Sequence, residues 1–121
     1  MNKLFYSFLL LIMSCLIACD DIFVEDISDD SVSLIAPGEG VTLKNNEVTL
    51  VWEALEGAED YLIVVVSPEF DNILTYICDS ITDMCKMKLT LDSGQYEWSV
   101  QARNSAYESL KSIRNFEISD P

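Results

Sequence analysis

The sequence from residue 32 to residue 118 is built from short runs of Val, Ile, Leu, Thr and aromatic residues, separated by turn-forming residues. Such runs predict β-strands, because branched and aromatic side chains pack well on a pleated surface. No long segment in this region repeats its apolar positions with helical spacing. Strands that follow one another so closely predict an all-β fold, a single antiparallel β-sandwich. Seven or eight strands are expected, at 32–35, 41–43, 47–53, 61–67, 73–78, 86–91, 95–103 and 112–118.

Two of the predicted strands have one apolar side and one polar side, as a strand at the surface of a core requires. In the first, Val48, Leu50 and Trp52 share a face. In the second, one face carries Tyr96, Trp98, Val100 and Ala102, and the other carries Glu97, Ser99, Gln101 and Arg103.

The strand at 61–67 is apolar on both faces. Tyr61 begins the series that we expect to face the core, and the opposite series consists of Leu62, Val64 and Val66. If this second series is uncovered, it forms a candidate contact surface. The alternative is that neighbouring side chains or the acidic N-terminal segment cover it.

Several motifs in this region resemble the fibronectin type III domain, an immunoglobulin-like module, in its bacterial form. Trp52 and the following EALEGAEDY resemble the family's link between strands B and C, and SPEFDN resembles the turn after strand C. LDSGQYEWSVQARNS, residues 91–105, is similar to the family's strand F, and FEI near the end is similar to strand G. The resemblance implies that Tyr96 forms a tyrosine corner, in which its hydroxyl bonds to the backbone a few residues upstream.

The resemblance does not account for Cys78 and Cys85. In an exported protein, two such cysteines predict a disulfide, which here would close a loop of eight residues. The loop-entropy estimate for this bridge is about 2.5 kcal/mol of stability. The alternative is a pair of reduced, buried thiols.

The N-terminal residues have the pattern of an export signal. Lys3 gives a positive start, and the apolar run 4–18 would span about 22 Å as a helix, short of the ~30 Å hydrocarbon core of a bilayer. Leu16-Ile17-Ala18-Cys19 resembles the bacterial lipobox, which implies that Cys19 is acylated and becomes the first residue after cleavage. Cys15 follows a bulkier residue pattern and is a poorer match. The alternative is an ordinary signal peptide that leaves a free soluble protein.

These features predict three parts: a lipoprotein signal peptide at 1–18, a lipidated cysteine with an acidic tether at 19–31, and the sandwich domain at 32–119. The tether carries six acidic residues in the twelve positions 20–31 and no basic residue, so we expect it to be solvated and extended. Fully extended, it could hold the domain about 40 Å from the bilayer.

The charge of the chain excludes several kinds of partner. Without Lys3, 6 basic and 21 acidic side chains remain, a formal charge of −15. Nucleic acids and anionic lipid headgroups both require clustered Lys and Arg. Attachment to a membrane is therefore expected to come from acyl chains, which contribute about 0.8 kcal/mol per buried methylene.

No catalytic centre is predicted. The chain has no histidine, which removes the nucleophile systems and zinc sites that depend on imidazole. Its carboxylates lie mostly in predicted turns, where they are usually solvated, and no calcium-loop spacing is present. We therefore expect no enzyme activity, no metal site and no cofactor.

The expected function is binding. The chain is predicted to be a non-catalytic lipoprotein on a bacterial membrane, most simply the outer membrane at its surface or periplasmic face, that contacts another envelope protein. The alternative is a glycan-binding accessory of a polysaccharide-uptake system, which needs exposed aromatic residues. Tyr107, in the predicted loop between the last two strands, is a candidate contact residue for either function.

Overall fold

A computed structural model describes residues 23–120 of the chain. The described part is all-β, and no helix in it is long and apolar enough to cross a bilayer. Its eight strands are β1 (Leu34–Ala36), β2 (Val41–Leu43), β3 (Glu47–Trp52), β4 (Asp60–Glu69), β5 (Asn72–Thr82), β6 (Lys86–Thr90), β7 (Gly94–Arg103) and β8 (Ser112–Ile118).

The strands form two sheets that pack face to face, which confirms the predicted sandwich. The smaller sheet has the order β1-β3-β6, and the larger has the order β2-β8-β7-β4-β5. All strand pairs are antiparallel except β2 with β8, which is parallel, a detail that the sequence pattern did not predict. The physical reason is the turn at 37–40, after which the chain leaves the smaller sheet and runs along β8 in the larger one.

The core lies between the sheets and contains the side chains that the alternation predicted. Trp52 of β3 and Trp98 of β7 are its largest fully buried residues. The ring of Trp52 meets Tyr61 of β4 edge to face, with 5.9 Å between the ring centroids. Each large apolar side chain buried in this way stabilises the fold by about 1.5–3 kcal/mol. The inward positions of three strands thus hold the two sheets together.

The tyrosine corner that the resemblance implies is present. The Tyr96 hydroxyl donates a hydrogen bond of 2.6 Å to the carbonyl oxygen of Asp92, four residues upstream. Its ring stacks on Phe116 of β8, with 5.5 Å between the centroids. Burial raises the pKa of the Tyr96 hydroxyl, and the nearby Asp92 carboxylate raises it further. The tyrosine corner therefore fixes the start of β7, and its burial keeps the phenol neutral.

The prediction that residues 20–31 form a solvated tether is wrong for the part that the structure describes. Ile27 is fully buried and belongs to the core. The carbonyl oxygen of Glu25 accepts a hydrogen bond of 2.8 Å from Asn104, and Leu110 donates a backbone hydrogen bond to Asp30. The acidic side chains stay in solvent, but one apolar residue among them fixes the segment to the domain.

Gly57 makes room for this segment. Its φ of +90° favours glycine, and a Cβ at this position would lie 2.6 Å from the Glu25 carboxylate and 3.0 Å from the Ile27 side chain. The turn between β3 and β4 and the N-terminal segment are therefore packed directly on each other. The domain begins near residue 25, not at residue 32.

We predict that Ile27→Ala lowers the free energy of unfolding by about 2–4 kcal/mol, because it leaves a cavity in the core. Chemical denaturation followed by tryptophan fluorescence measures this loss. The matched control is Asp29→Ala in the same segment, where the side chain is exposed and the expected change is under about 0.5 kcal/mol. Equal, small effects of the two substitutions would show that the segment is a tether after all.

We predict that Tyr96→Phe lowers the free energy of unfolding at neutral pH by about 1 kcal/mol, because the Asp92 carbonyl loses its partner. Tyr76→Phe, at a hydroxyl on an exposed strand, is the control and should change little.

The same variant tests the raised pKa. Because the folded-state pKa of Tyr96 lies above its unfolded value of about 10, its contribution is fully present below about pH 10 and is lost as the pH rises through the folded value. Wild type should therefore lose more stability than Tyr96→Phe as the pH rises above about 10 in denaturation experiments. Parallel pH profiles would contradict the assignment.

Candidate functional site

The candidate site is the outer face of the five-stranded sheet, by which we mean the side of that sheet turned away from the core. The register of β4 with its neighbours determines which side chains meet there. Leu62 lies between Ile81 of β5 and Gln101 of β7. Val64 and Val66 occupy the next two outward positions of β4. The three residues singled out from the sequence therefore lie together at the centre of this face.

The structure divides this predicted surface into a covered part and an accessible part. Val66 is fully buried, although it does not belong to the core between the sheets. It lies between Tyr76 of β5 and Glu97 of β7. The Glu97 carboxylate accepts a hydrogen bond of 2.9 Å from the Phe70 backbone N–H, which fixes the side chain at this position. Val66 is thus a packing residue and not a contact residue.

Leu62 and Val64 are half-buried, and the exposed apolar side chains lie around them. Three that sequence reasoning missed are Tyr76, Ile81 and Ile113, with 66 %, 55 % and 49 % of their surface exposed. Ile113 of β8 pairs with Ser99, which is itself the partner of Val64, so all belong to one connected surface. Their common signal in the sequence is an apolar residue at an outward position of a strand.

Tyr107 does not extend from the domain as an exposed aromatic residue. It lies in the loop between β7 and β8, as predicted, but it is half-buried and packs against the core. Its backbone is held on both sides by Asn104, whose side chain accepts from the Tyr107 N–H at 2.8 Å. The backbone N–H of Asn104 donates to the Tyr107 carbonyl oxygen at 3.0 Å. This loop is therefore ordered around Asn104 and offers little aromatic surface.

Cys78 and Cys85 are free thiols in the structure, which corresponds to the alternative of two reduced cysteines and not to the predicted disulfide. Both are half-buried and pack against the core from different sheets, Cys78 in β5 and Cys85 just before β6. The Cys78 sulfur lies 3.4 Å from the Ser80 hydroxyl and 3.6 Å from the sulfur of Met87. The structure contains no bond between these two sulfurs, and the disulfide stays a prediction.

A shallow cavity of about 270 Å³ lies where the ends of several strands of the larger sheet meet. Its acidic lining comes from Glu69, Glu97 and Glu117, beside the tyrosine corner. Within residues 23–120, no three or more Cys, Asp or Glu side chains converge in a way that could hold a metal ion. In the described part of the chain, the less exposed of two ion pairs joins Arg103 of β7 to Asp60 of β4 at 2.8 Å, at the far end of the sheet.

We predict that Val66→Ala and Ile81→Ala have different effects on stability, although both residues lie on the outer face. The first removes fully buried methyl groups and should lower the free energy of unfolding by about 1–2.5 kcal/mol. The second changes an exposed side chain and should cost under about 0.5 kcal/mol. Denaturant titrations measure both values. A large loss for Ile81→Ala would mean that this part of the face is covered as well.

The fold is that of fibronectin type III domains. The fibronectin(III)-like modules of Clostridium thermocellum CbhA superpose with a TM-score of 0.54 at 16% identity, over 74% of this chain and 96% of the module. A Fn3-like protein from the same organism gives 0.51 at 18% identity, over 75% and 92% of the two chains. The fn3 domain of the human collagen alpha-1(XX) chain gives 0.54 at 21% identity, over 74% and 84%.

These similarities describe the architecture of the domain. No family model matches the sequence, and no curated protein is similar to it. Cys19 and the signal sequence lie outside the described residues. What the chain binds must therefore be inferred from its own residues.

Proposed function

We propose that the chain is a non-catalytic, lipid-anchored protein of a bacterial envelope, and that its sandwich domain binds another envelope protein. The observation that carries this proposal is the outer face, where exposed Tyr76, Ile81 and Ile113 surround the half-buried Leu62 and Val64. Clustered apolar side chains on a sheet that is already packed on its other side are typical of a protein contact.

The anchor part of the proposal depends on the sequence Leu16-Ile17-Ala18-Cys19 and on the charge of the chain. A chain with so few basic residues gains nothing from anionic headgroups, so acyl chains on Cys19 would supply the attachment. On this proposal the localisation is a bacterial membrane, and the outer membrane is the simplest assignment.

The folded N-terminal segment shortens the distance to that membrane. Because the Glu25 carbonyl is bonded to Asn104, only the six Cα steps from Cys19 to Glu25 separate the proposed lipid from the domain, which is at most about 20 Å of chain. The end of the domain with Gly57 and the loop at 104–111 would then lie nearest the bilayer. This arrangement leaves the length of β4 and β5 free for a partner approaching from the side.

A glycan-binding function receives no support from the aromatic residue that it would use. Tyr107 packs against the core in the loop on the anchored side of the domain. The exposed Tyr76 lies instead within an apolar strand, beside Val66. The apolar surface around Tyr76 suits a protein partner better than a sugar, because a sugar site requires many polar groups around an aromatic ring.

We predict that Cys19→Ser gives a protein that incorporates no labelled palmitate and leaves the membrane fraction. Cys15→Ser is the matched control, because it changes the neighbouring cysteine and should retain both the label and the membrane attachment. Labelling of cells, followed by fractionation and mass spectrometry of the mature N-terminus, gives the result. If Cys19→Ser stays membrane-bound and uncleaved, the apolar segment spans the membrane and the lipoprotein proposal is wrong.

The binding part has its own test. A photoreactive amino acid replaces Ile113 on the outer face, or Thr49 on the solvent side of the smaller sheet, in the full chain in cells. Irradiation should give a protein adduct from position 113 and little from position 49. Equal adducts from both positions, or an adduct that glycosidases remove, would contradict a protein partner at this face.

A further inference from the structure

The four outer edges of the two sheets are protected to very different degrees. β1 and β2 have three residues each, too short to pair with another chain. β6 has five residues and presents Lys86 and Lys88, and Lys88 is paired with Glu47 at 3.5 Å. Short strands and lysines are the common means by which proteins prevent an edge from pairing with another strand.

β5 has neither protection. It is an edge strand of eleven residues, and among its members Leu74, Tyr76 and Ile81 are more than half exposed. Its backbone pairs with β4 on one side, and no described strand pairs with it on the other. Such an edge offers a row of backbone N–H and C=O groups to any extended chain that approaches it.

The register limits where a new strand can be added. The pairing of β5 with β4 is interrupted near Val66 and again near Pro68, and bulges of this kind twist an edge away from regular pairing. From Cys78 to Thr82 the register is continuous. Over this stretch Ile81 and Asp79 point to the outer face, as partners of Leu62 and Val64.

The charge around this edge selects its partner. From Tyr61 to Cys85 the chain has no Lys or Arg, and it has four acidic residues: Glu69, Asp71, Asp79 and Asp83. Asp79 lies on the regular stretch, and Asp83 directly follows its end. Glu69 and Asp71 lie at the turn that precedes β5. Opposite charges across paired strands are stabilising by about 0.2–1 kcal/mol per pair, and like charges are destabilising.

We propose that the edge of β5 between Cys78 and Thr82 binds an extended basic segment of the partner protein, which adds to the larger sheet as a sixth strand. The proposal rests on the protein-binding function given above and names the kind of partner. The segment carries an apolar side chain beside Ile81 and a Lys or Arg beside Asp79. A second copy of this chain is a poorer occupant, because it would bring the same acidic residues to the contact.

The test uses the full chain in detergent micelles with three synthetic peptides. The first has the sequence Thr-Lys-Thr-Val-Thr-Lys-Thr, in which the central Val and both Lys share one face of the strand. The second has Glu in place of both Lys, and the third is the first with its central Val replaced by Pro. Fluorescence anisotropy measures affinity, and amide hydrogen exchange followed by NMR measures which backbone groups become protected.

We expect the Lys peptide to bind at least about tenfold more tightly than the Glu peptide at low salt, with an affinity that falls as salt is added. New protection should appear at Cys78–Thr82, and the Pro peptide should not give it. Ile81→Lys should abolish binding. The matched control is Ile35→Lys on the short edge β1, because Ile35 is 51 % exposed, close to the 55 % of Ile81, and this variant should bind normally.

Several results would overturn the proposal: equal affinity for the Lys and Glu peptides, no protection at β5 with any peptide, or normal binding by Ile81→Lys. Sedimentation of the wild-type chain is a further check, because self-association that Ile81→Lys prevents would make a second copy the occupant. The outcome is separate from that of the proposed function. If position 113 still gives a protein adduct in cells while β5 stays unprotected, protein binding holds and the edge assignment is wrong.

Discussion

The burial of two tryptophans between the sheets is the interaction on which the rest of this structure depends. Trp52 comes from the smaller sheet and Trp98 from the larger one, and both are almost completely removed from solvent. Neither indole N–H has a protein acceptor among the described residues. The rings therefore stabilise the sandwich by their apolar area and volume. Because the burial of these two rings fixes the inward faces of β3 and β7, it also fixes which side of β4 faces outward.

The outward side of β4 shows how a structural constraint becomes a candidate function. A central strand is covered on its core side by the other sheet, and its opposite side is covered only as far as neighbouring side chains reach. Val66, between Tyr76 and Glu97, is fully buried, whereas Leu62 and Val64 are half-buried. The apolar surface that remains continues to the edge of β5, so the face and the edge form one region. An acidic, apolar surface of this kind suits a partner that is apolar and basic.

The position of the N-terminal segment connects the fold to the proposed anchor. Ile27 is inserted into the core beside Gly57, so the acidic residues around it are held at one end of the domain. That end carries the loop with Asn104 and Tyr107, in which the Asn104 side chain orders the backbone. A short linker would keep this end close to a bilayer and leave the β5 edge accessible from the side. The two proposals are thus compatible in geometry, although each depends on different residues.

Sequence alone determined the fold class, most strand positions and the inward faces of β3 and β7, because period-two alternation and turn residues are local properties of the chain. The tyrosine corner was implied by the resemblance to fibronectin type III domains. Sequence alone did not determine the burial of Ile27, the covering of Val66, the inward packing of Tyr107 or the state of Cys78 and Cys85. The burial of Ile27 and of Val66 depends on neighbours distant in sequence, such as Asn104, which holds Glu25, and Glu97, which lies beside Val66. The length of β5 and its place at the edge were also decided by tertiary structure. Strand order is set by which faces must be buried together, and no local pattern encodes that choice.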